Sequence, residues 1–231
     1  VDLVRRSPCT AARRGPAGIA RILEQAAAEH AAALGVGIGE LRKSGHAWML
    51  TQLGLRARRW PDPGEALEVL TWPSRRTAGA RAWREFEVLS GSGEPLVEAA
   101  SVWLVVDLER RRPVRLPRLL YALDYPDKHT SVRFAPLPEP PADHPRVFHL
   151  KVEPEDLDIN NHVNNVTWLE WAEAAVGAPE AAAVQIDFLE EARLGQEITL
   201  LTWERKEAPE RIQRITGGGR LFAGVQWRHP R

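Results

Sequence analysis

Apolar positions along this chain fall into two helix-like stripes, each followed by a series of strand-like segments. From about Pro16 to Leu34, the residues Ile19, Ile22, Leu23, Ala26, Ala27, Ala33 and Leu34 recur at the spacing of one helical face. Pro16 near the start and Gly35 just past the end suit the preferences of helix termini. A second stripe runs through Val166, Leu169, Ala172 and Val176, and Trp168 and Trp171 widen it. So broad an apolar surface predicts a helix wrapped by a sheet rather than lying on one.

The strand patterns repeat as well. Gly64-Glu65-Ala66-Leu67-Glu68-Val69-Leu70-Thr71-Trp72 aligns without gaps with Gly195-Gln196-Glu197-Ile198-Thr199-Leu200-Leu201-Thr202-Trp203, at an offset of 131 residues. A later strand pattern ends in Trp103 in one copy and Trp227 in the other, and a helix pattern precedes each copy. Ser90-Gly91-Ser92-Gly93 and Gly217-Gly218-Gly219 read as hairpin turns. The triple glycine lacks the Lys-Ser/Thr and the following helix of a phosphate loop. Each half therefore predicts a strand, a helix and several antiparallel strands. Pro136-Leu137-Pro138-Glu139-Pro140-Pro141 is a stiff connector between them. The expected division is an N-terminal domain over 1–135, a linker over 136–145 and a C-terminal domain over 146–231.

Composition narrows the class. A chain of 231 residues can bury one large core or two small ones. Its 31 basic and 31 acidic residues balance, but residues 1–150 carry 22 Lys/Arg against 17 Asp/Glu, and residues 151–231 carry 9 against 14. That asymmetry is too small to imply nucleic acid binding. Cys9 is the sole cysteine, which excludes an internal disulfide, a Cys-based zinc site and a CxxC redox pair. No apolar run approaches membrane-spanning length and no signal segment opens the sequence, so the expectation is a cytoplasmic protein.

Chemistry concentrates in Asp156-Leu157-Asp158-Ile159-Asn160-Asn161-His162-Val163-Asn164-Asn165, just before the second helix. A carboxylate, an amide and an imidazole alternate at 158, 160 and 162, at a helix entrance whose backbone N–H groups favour negative charge. Asp156, Asp158 and Asn160 have the opening spacing of an EF-hand loop, but its sixth and twelfth positions are Asn161 and Thr167 rather than Gly and Glu. Calcium is rejected. One Asn or Asp here serves as a helix cap, which leaves the others without a structural reason. Shifted back by the helix offset, Asp158, Asn160 and His162 fall opposite Ala12, Arg14 and Pro16, so the first copy is chemically blank.

The run Asp156 to Val166 closely resembles the signature of acyl-acyl-carrier-protein thioesterases, a family of plant and bacterial enzymes. Ile186-Asp187-Phe188-Leu189-Glu190-Glu191-Ala192 resembles that family's following strand, which ends in Glu-Cys. Trp48-Met49-Leu50, Arg59-Trp60-Pro61 and Thr71-Trp72-Pro73 extend the likeness over most of the chain. The resemblance implies an α+β tandem hotdog, each half an antiparallel sheet around a long helix, with the active site in the second. It also implies a catalytic network of Asp158, Asn160, His162 and Glu191, acting without cofactor or metal. One departure matters: the cysteine after the glutamate is Ala192 here. Hydrolysis through a carboxylate and water is then the expected mechanism, with Glu191 as general base or as nucleophile. Helix-start N–H groups from Val163 to Asn165 would stabilise the oxyanion. Glu190 is the alternative to Glu191, because a one-residue slip along a strand reverses the faces.

The expected partners are a fatty acyl chain and an acidic acyl carrier protein, steered by Arg110-Arg111-Arg112, with Arg115 and Arg118 close behind in the inter-domain segment, or by a second cluster of Arg56, Arg58 and Arg59. A homodimer is compatible with the scaffold, and neither nucleic acid nor membrane is expected. The first copy would hold the acyl chain, with Trp48 and Met49 as candidate pocket walls. Acyl-CoA hydrolysis and a non-catalytic acyl-binding or assembly domain are the alternatives.

Overall fold

The computed structural model describes residues 2–177, 181–205 and 208–229. They form two compact units, one drawn from Val1–Arg14 and Gly18–Arg133, the other from Gly15–Ala17 and Phe134–Arg231.

The first unit contains β1 (Arg5–Thr10), most of α1 (Pro16–Ala33), α2 (Ile38–Lys43), β2 (His46–Ala57), β3 (Ala66–Pro73), β4 (Arg81–Ser90), β5 (Pro95–Asp107), β6 (Arg112–Val114) and α3 (Arg118–Tyr121). Its strands lie in the order β1-β3-β4-β5-β2, all antiparallel, and β6 forms a short hairpin with the end of β5. The second unit contains β7 (Arg146–Lys151), a 3-10 turn (Pro154–Asp156), α4 (Asn165–Val176), β8 (Ala183–Phe188), β9 (Glu197–Arg205), β10 (Glu210–Gly217) and β11 (Arg220–Arg228). There the order is β7-β9-β10-β11-β8. Both units thus place their strands as first, third, fourth, fifth, second. Each is an α+β hotdog.

The repeat seen in sequence carries a common geometry. Gly64 and Gly195 enter β3 and β9 with φ of 85° and 78°, a left-handed conformation that glycine adopts without strain. Thr71 faces Arg5 across the β1–β3 ladder, and Thr202 faces Arg146 across the β7–β9 ladder. Both following indoles donate to a loop carbonyl, Trp72 to Lys128 at 3.1 Å and Trp203 to Asp143 at 2.9 Å. The wide apolar surface of α4 is accounted for by burial of Val166, Trp168, Leu169, Ala172, Ala175 and Val176. Glu173 is buried too, and one of its oxygens accepts the Ala17 N–H at 2.6 Å.

The proline-rich connector lies against the second unit. Ala135 exchanges two hydrogen bonds with the Gln185 amide, and Arg214 donates to the Pro138 carbonyl at 2.7 Å. Leu137 comes so close to Gly224 that a Cβ there would stand 2.3 Å from its Cδ1.

One expectation is corrected. The arginine cluster does not belong to an inter-domain segment: Arg110 and Arg111 lie in the β5–β6 turn and Arg112 opens β6, all within the first unit. Asp107 makes that turn, its carboxylate accepting the N–H groups of Glu109 and Arg110 at 3.0 and 2.8 Å. Trp48 is half-buried on β2. Its indole donates to the Val36 carbonyl at 2.8 Å, meets Trp103 edge-on, and packs on a cluster around Leu34, Val36, Leu41, Val105, Leu116 and Leu120. Met49, the next residue along β2, points to the opposite face of the strand. Among the described residues no helix is long and apolar enough to cross a membrane.

Candidate active site

Leu157 and Val163 pair as an isolated antiparallel bridge, so residues 158–162 form a tight loop ahead of α4. The backbone closes it: Asp158 N donates to the His162 carbonyl at 2.8 Å and Asn161 N to the Asp158 carbonyl at 3.1 Å. Asn161 takes the left-handed conformation with φ of 60°, which asparagine tolerates better than most residues. The Asp158 carboxylate organises the interior. Its Oδ1 accepts from Asn160 N at 2.8 Å and His162 N at 3.2 Å, and its Oδ2 accepts from Asn160 Nδ2 at 3.0 Å. Polar alternation in the sequence has become convergence on one carboxylate.

A single backbone bond ties this loop to the chain after β8, from Val163 N to the Ala192 carbonyl at 2.9 Å. It brings His162 Nε2 within 3.2 Å of Glu191 Oε2, with the two side chains 21% and 40% exposed. Glu191 does not lie on a strand, as the face-alternation argument assumed. The ladder of β8 stops at Phe188, paired with Ala223, because the next two N–H groups both turn onto the Phe222 carbonyl. Glu190 is thereby directed elsewhere, 3.3 Å from Arg220. Phe222 also stacks on Trp168 of α4 at 5.7 Å, so one residue of β11 supports both sides of the His162–Glu191 contact. No local pattern marks Phe222 or Arg220 in the sequence, since their roles depend on a cross-strand neighbour.

The helix start departs from expectation. Asn164 is the N-cap, its Oδ1 accepting Val166 N at 2.8 Å. Val163 N is committed to Ala192 and Asn164 N to the Asp156 carbonyl at 2.9 Å, so two of the three expected oxyanion donors are already engaged. The third, the Asn165 N–H, belongs to the first helical residue.

Thiol chemistry finds no support in the second unit. Ala192 is fully buried and contributes only its carbonyl. Cys9 lies on β1 in the first unit, where burial pushes its thiol above the ordinary range. An imidazole against a half-exposed carboxylate, beside a loop locked by a second carboxylate, suits proton transfer to and from water.

Residues 17–123 match the acyl-ACP thioesterase N-terminal domain, and residues 141–218 match the C-terminal domain. The chain belongs to the acyl-ACP thioesterase family. Among curated members, oleoyl-acyl carrier protein thioesterase 1 of Arabidopsis thaliana is 26% identical over 216 residues, covering 82% of this chain and 58% of that protein. The palmitoyl-acyl carrier protein thioesterase of Gossypium hirsutum is 30% identical over 165 residues, covering 64% of this chain and 39% of that protein. The chain thus spans well under two thirds of these family members. An acyl-ACP thioesterase from Bacteroides thetaiotaomicron shares the fold with a TM-score of 0.86 at 21% identity, covering 97% of this chain and 96% of that one. The 12:0-ACP thioesterase from Umbellularia californica does so with a TM-score of 0.81 at 19% identity, covering 99% and 97%.

Proposed function

We propose that this chain hydrolyses the thioester of an acyl-acyl-carrier protein, releasing a free fatty acid and the carrier thiol. The carrying observation is the 3.2 Å contact between His162 Nε2 and Glu191 Oε2, beside a loop organised by Asp158. Family membership supplies the substrate class.

In the reaction, Glu191 takes a proton from a water whose oxygen attacks the thioester carbonyl. The tetrahedral intermediate collapses with cleavage of the C–S bond, and the proton returns to the departing sulfur. His162 and Asn160 position the water and the base, and the Asn165 N–H faces the developing oxyanion. Asp158 is a positioning residue, because its oxygens are spent on the Asn160 and His162 N–H groups and on the Asn160 amide. The first unit holds the acyl chain, and the basic turn Arg110–Arg112 steers the acidic carrier.

A thiol-release assay on acyl-carrier and acyl-CoA thioesters, run also with Glu191→Ala and Asp158→Ala, tests this reading. Release from the carrier thioester that both substitutions abolish supports it. Preference for acyl-CoA would reassign the substrate, and no release from either would leave an acyl-binding module.

A further inference from the structure

The inner face of the first unit holds a buried charge that the proposed reaction does not use. Arg84, on β4, is only 9% exposed, and its Nη1 is bonded to His30 Nδ1 at 3.0 Å and to Thr71 Oγ1 at 3.1 Å. Among the described residues no carboxylate is hydrogen-bonded to it. His30, on α1, is itself 1% exposed, and its Nε2 lies 3.1 Å from the Asp2 carbonyl. Burial, followed by Arg84, lowers its pKa to about 4, so the imidazole is neutral and offers Arg84 a lone pair without a charge. Desolvation alone brings the Arg84 guanidinium down to about 10.

A second guanidinium stands beside it. Arg5 faces Thr71 across the β1–β3 ladder, and Arg5 as well as Arg84 acts electrostatically on His30. One Arg5 nitrogen bonds Glu29 Oε2 at 2.9 Å, while its buried Nε has no hydrogen-bond partner among the described residues. Ser7, two residues along β1 on the same inward face, has a buried Oγ that is likewise unpartnered among them. Three strands and a helix thus gather two cations, the Glu29 carboxylate bonded to Arg5 and two orphaned polar atoms, with the Asp2 carboxylate also acting on His30.

Such a cluster is costly as it stands. An orphaned buried donor forfeits about 1–3 kcal/mol, and a buried cation with no carboxylate bonded to it more. The last turn of α1, where His30 lies, offers at most about half an elementary charge of compensation. What would complete the set is a small group rich in lone pairs and negative charge. Access is open on one side, where the Arg5 and Glu29 side chains are 37% and 41% exposed.

We propose that Arg5, Ser7 and Arg84 form an oxyanion-binding site on the inner face of the first unit, taking a carboxylate or a phosphate group. Its ligand accepts from Arg5 Nε and Arg84 and exchanges a hydrogen bond with the Ser7 hydroxyl. The site is independent of thioester hydrolysis, so its test does not depend on that activity.

The test is thermal unfolding and calorimetric titration of the whole chain with sodium phosphate and with sodium acetate, against sodium chloride at equal ionic strength. A saturable rise in Tm above the chloride control is expected with at least one oxyanion. Saturation by phosphate alone identifies a phosphate-type ligand, and saturation by both identifies a carboxylate-type one. Arg84→Gln should abolish the response, and Ser7→Ala and Arg5→Lys should each weaken binding about tenfold. The two milder variants keep the test decisive if Arg84→Gln does not fold, since Arg5→Lys preserves the charge while replacing the guanidinium, with its orphaned Nε, by a single ammonium. The His30 ring signals in proton NMR should shift on saturation. No response beyond chloride, or equal saturation in wild type, Ser7→Ala and Arg5→Lys, would overturn the proposal.

Discussion

His162 Nε2 lies 3.2 Å from Glu191 Oε2, while the neighbouring Glu190 is drawn 3.3 Å from Arg220. Adjacent carboxylates therefore face different partners, and they should differ in function. Glu191→Gln is expected to lower kcat by about 10²–10⁴, the range for loss of a general base. Glu190→Gln removes only an exposed ion pair, worth about 0.2–1 kcal/mol, and should leave kcat nearly unchanged. Equal losses in steady-state thiol release would contradict the assignment.

The β5–β6 turn gives a second prediction. Replacing Arg110, Arg111 and Arg112 by Glu should raise KM for the acyl-carrier thioester several-fold, with little change in kcat. The effect should shrink in high salt, because exposed charges are screened over about 10 Å at 0.1 M. An unchanged KM at low salt removes this turn as the docking element.

Cys9 separates carboxylate from thiol chemistry. Its thiol is pushed up by burial, so at neutral pH the reactive thiolate is scarcer than in a free cysteine. Alkylation by iodoacetamide should be slow at pH 7 and quicken as pH rises, and Cys9→Ala should retain full turnover. Inactivation in step with alkylation would refute hydrolysis through a carboxylate and water.

Gly224 is a packing position. A Cβ there would meet Leu137 Cδ1 at 2.3 Å and Arg214 Nη1 at 3.0 Å. Gly224→Ala should cost about 1–3 kcal/mol in urea unfolding. Leu137→Ala in the same chain should recover part of that loss, a coupling that a double-mutant cycle reads directly.

His30 makes stability depend on pH. Its pKa is about 4 in the folded chain against 6.5 as the ordinary value, so between these the unfolded chain binds the extra proton. Stability is then full above pH 6.5 and falls as pH drops toward 4, by up to roughly 3 kcal/mol. In a buffer free of oxyanions, His30→Gln should flatten that slope in denaturant titrations. An unaltered slope would mean that other groups control it.

Much of the fold is legible from the sequence because it rests on local periodicity. Both helices show in their apolar stripes, and the strands β3 and β9 show in two aligned runs, each entered by a glycine that the structure holds at positive φ. The ten-residue run before α4 likewise displays its polar groups in order. Asp158, Asn160 and His162 are drawn together by bonds within five consecutive residues, and chain neighbours can form such a loop with little help.

Other features answer to contacts that no local pattern encodes. Whether Glu190 or Glu191 meets His162 is decided by the Phe222 carbonyl, which ends β8 early and cancels the strand alternation. Two of the three N–H groups expected at the oxyanion are spent on the Ala192 and Asp156 carbonyls, because a backbone donor takes the acceptor that the folded chain presents. The arginine cluster left the connector because Asp107 closes a turn. Arg5, Ser7 and Arg84 gave no signal at all, since three strands must pair before they share a face. Sequence alone determined which segments could become helix, strand and reactive loop, because those depend on neighbours along the chain. Tertiary structure decided which polar groups remain available for chemistry, because hydrogen-bond partners are assigned only once distant segments are packed together.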